Sequence, residues 1–296
     1  MGNRKITKVV IPVAGMGTRF LPATKVVPKE LFPIVSKPII QLIVEECIAG
    51  GIETVVFITA RPKILIEDYF DPRDLTSFRL AEAGKESLIE SALEISKKVD
   101  FVSIRQYQPL GLGHAIQQAH HVVSGQPFAV VLGDDILISD SGSAIGDCIK
   151  EFEKIDKGSV IGTSLVSKEE TPLYGIVDIK GDADKKDFLP IHGFVEKPDA
   201  HKAPSNWAMP GRYVFEKEII HFLQNQKPGK NGELQLTDAM QNMLSSGHPF
   251  FARKITGKRY DTGNKLGFIK ANVEMGLRDP SIKESLRAWL EQSFQK

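Results

Sequence analysis

Residues 8 to 33, KVVIPVAGMGTRFLPATKVVPKELFP, constrain the fold of this chain more than any other stretch. They open on an apolar run, Lys8 to Ala14, short and rich in Val and Ile, which reads as a buried strand. The run spills into Gly15 and Gly17, then Thr18, Arg19, Pro22, Lys25, Pro28 and Lys29. Pro38 suits the first turn of a helix, in which Ile39, Ile40, Ile43, Val44, Cys47 and Ile48 recur at helical spacing until Gly50-Gly51 stops it. A second strand, Thr54 to Thr59, follows. Strand, loop, helix and strand at this spacing form a βαβ unit, which implies a parallel sheet and a right-handed crossover.

A buried strand that opens into a Gly-rich, cationic loop can hold phosphate. The glycines let backbone N–H groups approach an anion, and the cations neutralise it. An ordinary strand-to-helix turn is the simpler alternative. Two other phosphate loops are disfavoured. The dinucleotide fingerprint needs Gly or Ala where Phe20 stands and an acid near the end of the second strand, where TVVFITARP supplies none. The Gly-Lys-Ser/Thr of a P-loop is absent.

Downstream, residues 63 to 98 are charged and helical, with one apolar face of Ile64, Leu65, Tyr69 and Phe70 and another of Leu88, Ile89, Ala92, Leu93 and Ile95. They read as a solvated helical excursion, with an interface or a cover for the site as the alternative. A strand from Phe101 to Gln106 runs into Gln108-Pro-Leu-Gly-Leu-Gly-His-Ala115. A Gln beside a Gly-rich turn at a strand's carboxyl end can read a base edge, because its amide offers one acceptor and two donors. His114 reads as a capping or packing residue. A further strand, Pro127 to Leu132, ends in Gly133-Asp134-Asp135. Open α/β sheets bind ligands at this end, so an acid there is placed to hold Mg²⁺ or to cap the loop.

After a helix from Ser141 to Ile155 the pattern changes. Val160 to Val166, Gly175 to Lys180 and Leu189 to Glu196 are strand-like and separated by polar turns, which suggests an antiparallel excursion and a mixed sheet. A strand over 208 to 213 and helices over Phe215 to Gln224 and Leu236 to Leu244 follow. In the last of these, Thr237 or Asp238 is a candidate cap. A final strand, Phe250 to Ile255, precedes Arg259-Tyr-Asp261-Thr-Gly263, and a helix carrying Leu286 and Leu290 closes the chain.

Composition narrows the function. The chain has 296 residues and a net charge of +1 from 38 basic and 37 acidic residues, so no bulk charge recruits nucleic acid or a membrane. The apolar runs are strand-sized, neither a span nor a signal peptide is expected, and Ile6 breaks the myristoylation pattern. The two cysteines, Cys47 and Cys148, lie in apolar helical patterns and read as buried free thiols in a reducing cytosol.

The motif Gly-x-Gly-Thr-Arg-Phe-Leu-Pro-Ala-Thr-Lys followed by Pro-Lys-Glu resembles the signature loop of the sugar nucleotidyltransferases. Ala23 to Lys25 and Pro28 to Glu30 are closest to the bacterial UTP–glucose-1-phosphate uridylyltransferases (UDP-glucose pyrophosphorylases). The resemblance runs from Lys8 to Leu277. It implies a Rossmann-like three-layer α/β/α fold with a mixed, mainly parallel sheet and an inserted antiparallel sugar-binding portion. One domain spans 1–296, with a nucleotide-binding portion to about 155, a sugar-binding portion to about 262 and C-terminal helices beyond. By resemblance, Ala14, Gly15, Gly17, Thr18, Glu30, Gln108, Gly111 or Gly113, and Asp134 contact the nucleotide. Arg19, Lys29 and Lys25 act on its phosphates. Tyr174, Gly175, Glu196, Lys197 and Asn206 hold the sugar phosphate. Asp134 and Asp261 hold Mg²⁺, with Asp135 supporting. Asn231 stands where thymidylyltransferases carry Arg, which favours the uridylyl branch.

The implied reaction joins UTP and α-D-glucose 1-phosphate into UDP-glucose and releases pyrophosphate, in a cytoplasmic homodimer or homotetramer. No nucleophilic side chain is needed, and none is evident. A change of base to dTTP, a change of sugar phosphate, or a non-catalytic nucleotide-sugar-binding homologue are the alternatives.

Overall fold

The computed structural model describes residues 4–72, 75–139, 141–179, 186–229 and 232–294. Lys180, at the end of one expected strand, and Asn231 lie outside the described residues. The strands are β1 (Lys8–Pro12), β2 (Pro33–Ile34), β3 (Lys37–Pro38), β4 (Thr54–Thr59), β5 (Asp100–Arg105), β6 (Phe128–Val131) and β7 (Asp135–Ile138) in the first half. The second half carries β8 (Ser159–Leu165), β9 (Gly175–Ile179), β10 (Phe188–Glu196), β11 (Trp207–Ala208), β12 (Arg212–Phe215), β13 (Phe250–Lys254) and β14 (Lys258–Asp261).

Ten of them form one sheet in the order β11-β9-β10-β13-β8-β12-β6-β1-β4-β5. β1 lies between β4 and β6, parallel to both, which is why its sequence is a continuous apolar run and not an alternating one. Its side chains still split by face. Val9 and Ile11 pack with the Ile39–Ala49 and Ala144–Lys154 helices, whereas Val10 joins a second core with the Leu112–Gln117, Ile219–Gln224 and Leu236–Ser245 helices. Helices therefore cover both faces, giving the three-layer α/β/α arrangement.

The sheet is mixed. β12 runs antiparallel to both β6 and β8, and β10 runs antiparallel to both β13 and β9. The parallel pairings are confined to β5-β4-β1-β6 and to β8 with β13, so parallel strands prevail on one side only. β11 pairs with β9 and also with β8, which closes the antiparallel strands on themselves around Trp207, Phe194 and Phe250.

Two expected elements differ. The strand expected over 208 to 213 is two short pieces broken after Ala208, with Gly211 at φ +87° in the gap. Phe215 ends β12 and the helix begins only at Ile219, because Phe215 is needed as a sheet residue stacked against Tyr213. Both cysteines are free and buried, and burial pushes both thiols up. Among the described residues no helix is long and apolar enough to cross a membrane.

Candidate active site

The loop after β1 is held from below. Val13 N–H donates to Ile58 O at 2.8 Å, and Thr24 Oγ1 donates to Gly17 O at 2.8 Å. Gly17 sits at φ +65°, and a Cβ there would lie 3.1 Å from Thr24 Cγ2. Phe20, which breaks the dinucleotide fingerprint, packs edge-on against Phe32 and Phe268 with centroids 5.3 and 5.8 Å away. It ties the loop to the Lys265–Gly276 helix. Gly15, Thr18, Arg19 and Lys25 are left exposed on the rim.

The two candidate metal acids are far apart in sequence and adjacent in space. β7 and β14 pair antiparallel with Asp135 opposite Asp261, which brings Asp134 beside Asp261. A Cβ added to Gly263 would lie 2.9 Å from Asp134 Oδ2 and 3.0 Å from Asp261 Oδ1, so both carboxylates border one small space that only glycine leaves open. Gly263 N–H donates to Asp261 Oδ1 at 2.9 Å and Thr262 Oγ1 donates to Asp134 O at 2.8 Å. Lys29 Nζ reaches Asp134 Oδ2 at 2.6 Å, and Arg19 Nη1 lies 3.4 Å from Gly263 O. Burial alone would raise the Asp134 carboxyl, but the Lys29 ammonium, with Arg19 and Arg259 behind it, holds it below the usual carboxylate range. Two converging carboxylates suit a hard cation that keeps most of its waters.

The neighbouring acid does something else. Asp135 accepts Arg259 Nε at 2.7 Å and Nη2 at 2.8 Å, and the guanidinium lies 4.3 Å from the Tyr174 ring centre. The Asp135 carbonyl accepts Arg212 Nη2 at 2.8 Å. Arg212, fully buried, also binds Glu46 through Nε at 3.0 Å and Nη2 at 2.6 Å, and Glu46 Oε1 accepts Ile145 N–H at 3.0 Å. A chain of charged groups thus runs from the Ile39–Ala49 helix to the backbone beside Asp134.

A cavity of about 430 Å³ opens over β1 and β6, lined by Ala14, Gly15, Lys29, Glu30, Gln106, Gly111 and Asp134 among others. Another of about 700 Å³ adjoins it beneath the loop, lined by Thr18, Lys25, Lys63 and Arg105. Gln108 is exposed and lines neither, whereas Gln106, at the end of β5, lines both. Gln106 Nε2 lies 3.3 Å from Gly111 O and 2.9 Å from His114 Nδ1, so His114 is a packing residue as its sequence context suggests. Gly113 is buried with its N–H on Leu234 O at 2.8 Å, and a Cβ there would lie 2.6 Å from that oxygen. Its backbone faces another segment of the chain, while that of Gly111 borders the cavity.

On the other side of Asp261 a cavity of about 990 Å³ is lined by Arg19, Tyr174, Arg259 and Asp261. The β9–β10 pairing sets Gly175 opposite Glu196, and Lys197 N–H donates to Tyr174 O at 3.0 Å. Thr237 Oγ1 donates to Glu196 Oε2 at 2.6 Å. Thr237 therefore holds a carboxylate and does not cap its helix, whose N-cap is Gln235. Lys197 stands at φ +44°, a left-handed conformation uncommon outside glycine, and its side chain is 58% exposed. Asn206 is exposed, and its carbonyl accepts Val166 N–H at 3.0 Å. The structure thus gathers Tyr174, Gly175, Glu196 and Lys197 tightly and sets Asn206 on the chain entering β11.

The family model for nucleotidyl transferases matches residues 8–276. The chain belongs to the nucleotidyl transferase family. It is 43% identical over 288 residues to a UTP–glucose-1-phosphate uridylyltransferase of Bacillus subtilis, covering 97% of each chain. A structure described as UTP-bound UGPase from Acinetobacter baumannii superposes with a TM-score of 0.87 at 36% identity, over 96% of this chain and 98% of that one. A UDP-glucose pyrophosphorylase complexed with UDP-glucose gives 0.84 at 38% identity, over 93% and 100%.

Within this nucleotidyl transferase, three residues around the site escape a reading of the sequence. Gln106 was masked by Gln108, two positions on and nearer the glycines. Its only signal is its place at the end of an apolar strand, where ligands collect. Lys63 follows the second strand and pairs with Glu30 at 2.6 Å, a contact that no spacing reveals. Arg212 lies in a short apolar strand and carries no local mark of its partner Glu46.

Proposed function

We propose that this nucleotidyl transferase transfers a uridylyl group from UTP to α-D-glucose 1-phosphate, giving UDP-glucose and pyrophosphate. The observation that carries the reading is the meeting of Asp134 and Asp261 at Gly263, with Lys29 and Arg19 alongside, between a cavity bordered by the Gly-rich loop and one bordered by Tyr174. The names of the similar proteins supply the substrates.

Two anions must meet, so the protein's task is to align them and neutralise their charge. The sugar 1-phosphate attacks the α-phosphorus in line and pyrophosphate leaves from the opposite side. Arg19 and Lys29 hold the triphosphate and the departing pyrophosphate, with Lys25 assisting from the rim. Ala14, Gly15, Gly17 and Thr18 offer loop backbone, and Gln106, not Gln108, reads the base edge with Gly111. Tyr174 and Gly175 let a pyranose approach, Glu196 accepts from its hydroxyls, and Lys197 takes its phosphate beside Asn206. Mg²⁺, held by Asp134 and Asp261, supplies further charge neutralisation when bound. A cytoplasmic homo-oligomer is part of the same proposal, and the family resemblance is what supports it.

The test is pyrophosphate release with UTP, glucose 1-phosphate and Mg²⁺, repeated with EDTA and with dTTP in place of UTP. Metal-dependent release that prefers UTP is expected. Release preferring dTTP overturns the base assignment, and no release with either nucleotide overturns the activity.

A further inference from the structure

Three acids crowd the end of the β7–β14 ribbon, and the reaction above uses two of them. Asp135 stands opposite Asp261 in the ladder, where facing side chains share one side of the ribbon with Cβ atoms about 5 Å apart. Asp134 precedes Asp135 and borders the same small space as Asp261 at Gly263. Like charges directly opposite one another destabilise a ribbon, and Asp135 is 7% exposed, so solvent ions screen it little. A third carboxylate is nevertheless kept beside the other two.

Arg259 governs what that carboxylate can do. It lies two residues before Asp261 on β14, and so on the same side of the ribbon. Its Nε and Nη2 donate to Asp135 Oδ1 and Oδ2 at 2.7 and 2.8 Å, a fork that engages both oxygens. The Tyr174 ring centre lies 4.3 Å from the guanidinium carbon and holds the fork from its other side. Asp134 is gripped differently, by the Lys29 ammonium at 2.6 Å on Oδ2, and Asp261 Oδ1 accepts the Gly263 N–H. The number of carboxylates decides which cation a site prefers. Mg²⁺ keeps several waters and is content with a pair of carboxylates and substrate phosphates, whereas Ca²⁺ takes about six to eight oxygens and gains from each added carboxylate.

We propose that Arg259 is a positioning residue for metal selection: by holding both oxygens of Asp135 it keeps the site at two carboxylates and denies Ca²⁺ the extra ligand that would favour it. The proposal rests on the assignment of the metal to Asp134 and Asp261. It adds the side chain that sets the ligand count, which acts on the metal only through Asp135.

The experiment is direct binding of Mn²⁺ to the full chain without substrates, read from its EPR signal, with Mg²⁺ and Ca²⁺ as competitors. In Arg259→Met the Ca²⁺:Mg²⁺ preference should rise about tenfold or more over wild type, as Asp135 joins the site. Arg259→Lys, which keeps the charge but grips a single oxygen, should fall between the two. Adding Asp135→Asn to Arg259→Met removes the third carboxylate along with its clamp and should return the preference to that of wild type, a reversal that a loosened fold would not give. A ratio unchanged within about twofold in Arg259→Met, or in Arg259→Lys where the Met variant fails to fold, overturns the proposal. Loss of a positive charge alone tightens Mg²⁺ and Ca²⁺ alike, so an equal rise in both overturns it, as does a rise that persists in the double variant. Asp134→Asn tests the reading beneath. If it leaves Mn²⁺ binding unchanged, the metal assignment falls and this inference with it. If it abolishes Mn²⁺ binding while Arg259→Met leaves the ratio unchanged, only this inference falls. A chain that shows the Arg259-dependent shift yet transfers no uridylyl group upholds this inference and overturns only the activity.

Discussion

The two sides of Asp134 are built by different means. On the side proposed for the nucleotide, parallel strands β1, β4, β5 and β6 each end in a segment that lines the cavities: the Gly-rich loop, Lys63, Gln106 and Asp134. Each contributes a short stretch read off the end of its own strand. On the side proposed for the sugar phosphate, no stretch suffices. Gly175, Glu196 and Thr237 meet because β9 and β10 pair and a helix lies across them. The first side depends on local loop chemistry, the second on register. β12 joins the two, antiparallel to β6 on one edge and β8 on the other.

Breaking the joint should therefore hurt both sides at once and by the most. Arg212→Ala leaves Glu46 buried without its partner and frees the carbonyl of Asp135. A loss of about 3–5 kcal/mol is expected in denaturant unfolding. A loss under about 1 kcal/mol would show that the two halves are held independently of it. Next in size, Asp134→Ala or Asp261→Ala should lower the rate of pyrophosphate release by about a hundredfold or more, judged from other electrostatic catalysts, with little change in unfolding midpoint. Near-native activity in either variant removes that acid from the metal assignment.

The sides should then separate in their kinetics. Thr237→Val frees one oxygen of Glu196 and should raise KM for glucose 1-phosphate several-fold, since a hydrogen bond to a charged group contributes about 1.5–3 kcal/mol. KM for UTP should stay near wild type, and a matching rise in it would erase the distinction between the sides. A pH series sharpens the same point. The Asp134 carboxyl is held below its ordinary value, so its charged form, and what that form contributes, persists as pH falls past the usual carboxylate range and is lost only below it. Activity that declines between neutral pH and pH 5 must then come from another group, which an Asp134→Asn pH–rate comparison checks. The smallest effect belongs to an exposed ion pair at the edge of the Tyr174 cavity. Lys258→Ala breaks a surface pair with Glu274 and should cost under about 1 kcal/mol.

The same contrast separates what sequence could show from what it could not. The βαβ opening, the Gly-rich loop, the acid after β6 and the antiparallel excursion were all legible, because strand period, turn residues and apolar runs are local properties. Gln106 and Gln108 show the limit on the nucleotide side: both flank the glycines, and only the trajectory of the chain leaving β5 points one inward and leaves the other in solvent. Thr237 shows it on the sugar side, where a residue with the look of a helix cap faces a carboxylate 41 positions earlier.

By itself, then, the sequence determined that this chain builds a parallel core, opens it into a phosphate-sized loop and places acids at strand ends. These follow from which residues can be buried and which backbone shapes glycine and proline allow. Only the tertiary structure decided which acids meet. Asp134 reaches Asp261 through the pairing of β7 and β14, while Asp135, one residue on, is taken by Arg259. Lys63 and Arg212 found buried carboxylates for the same reason: a charge inside a protein must be paired, and the partner is set by which elements pack against one another.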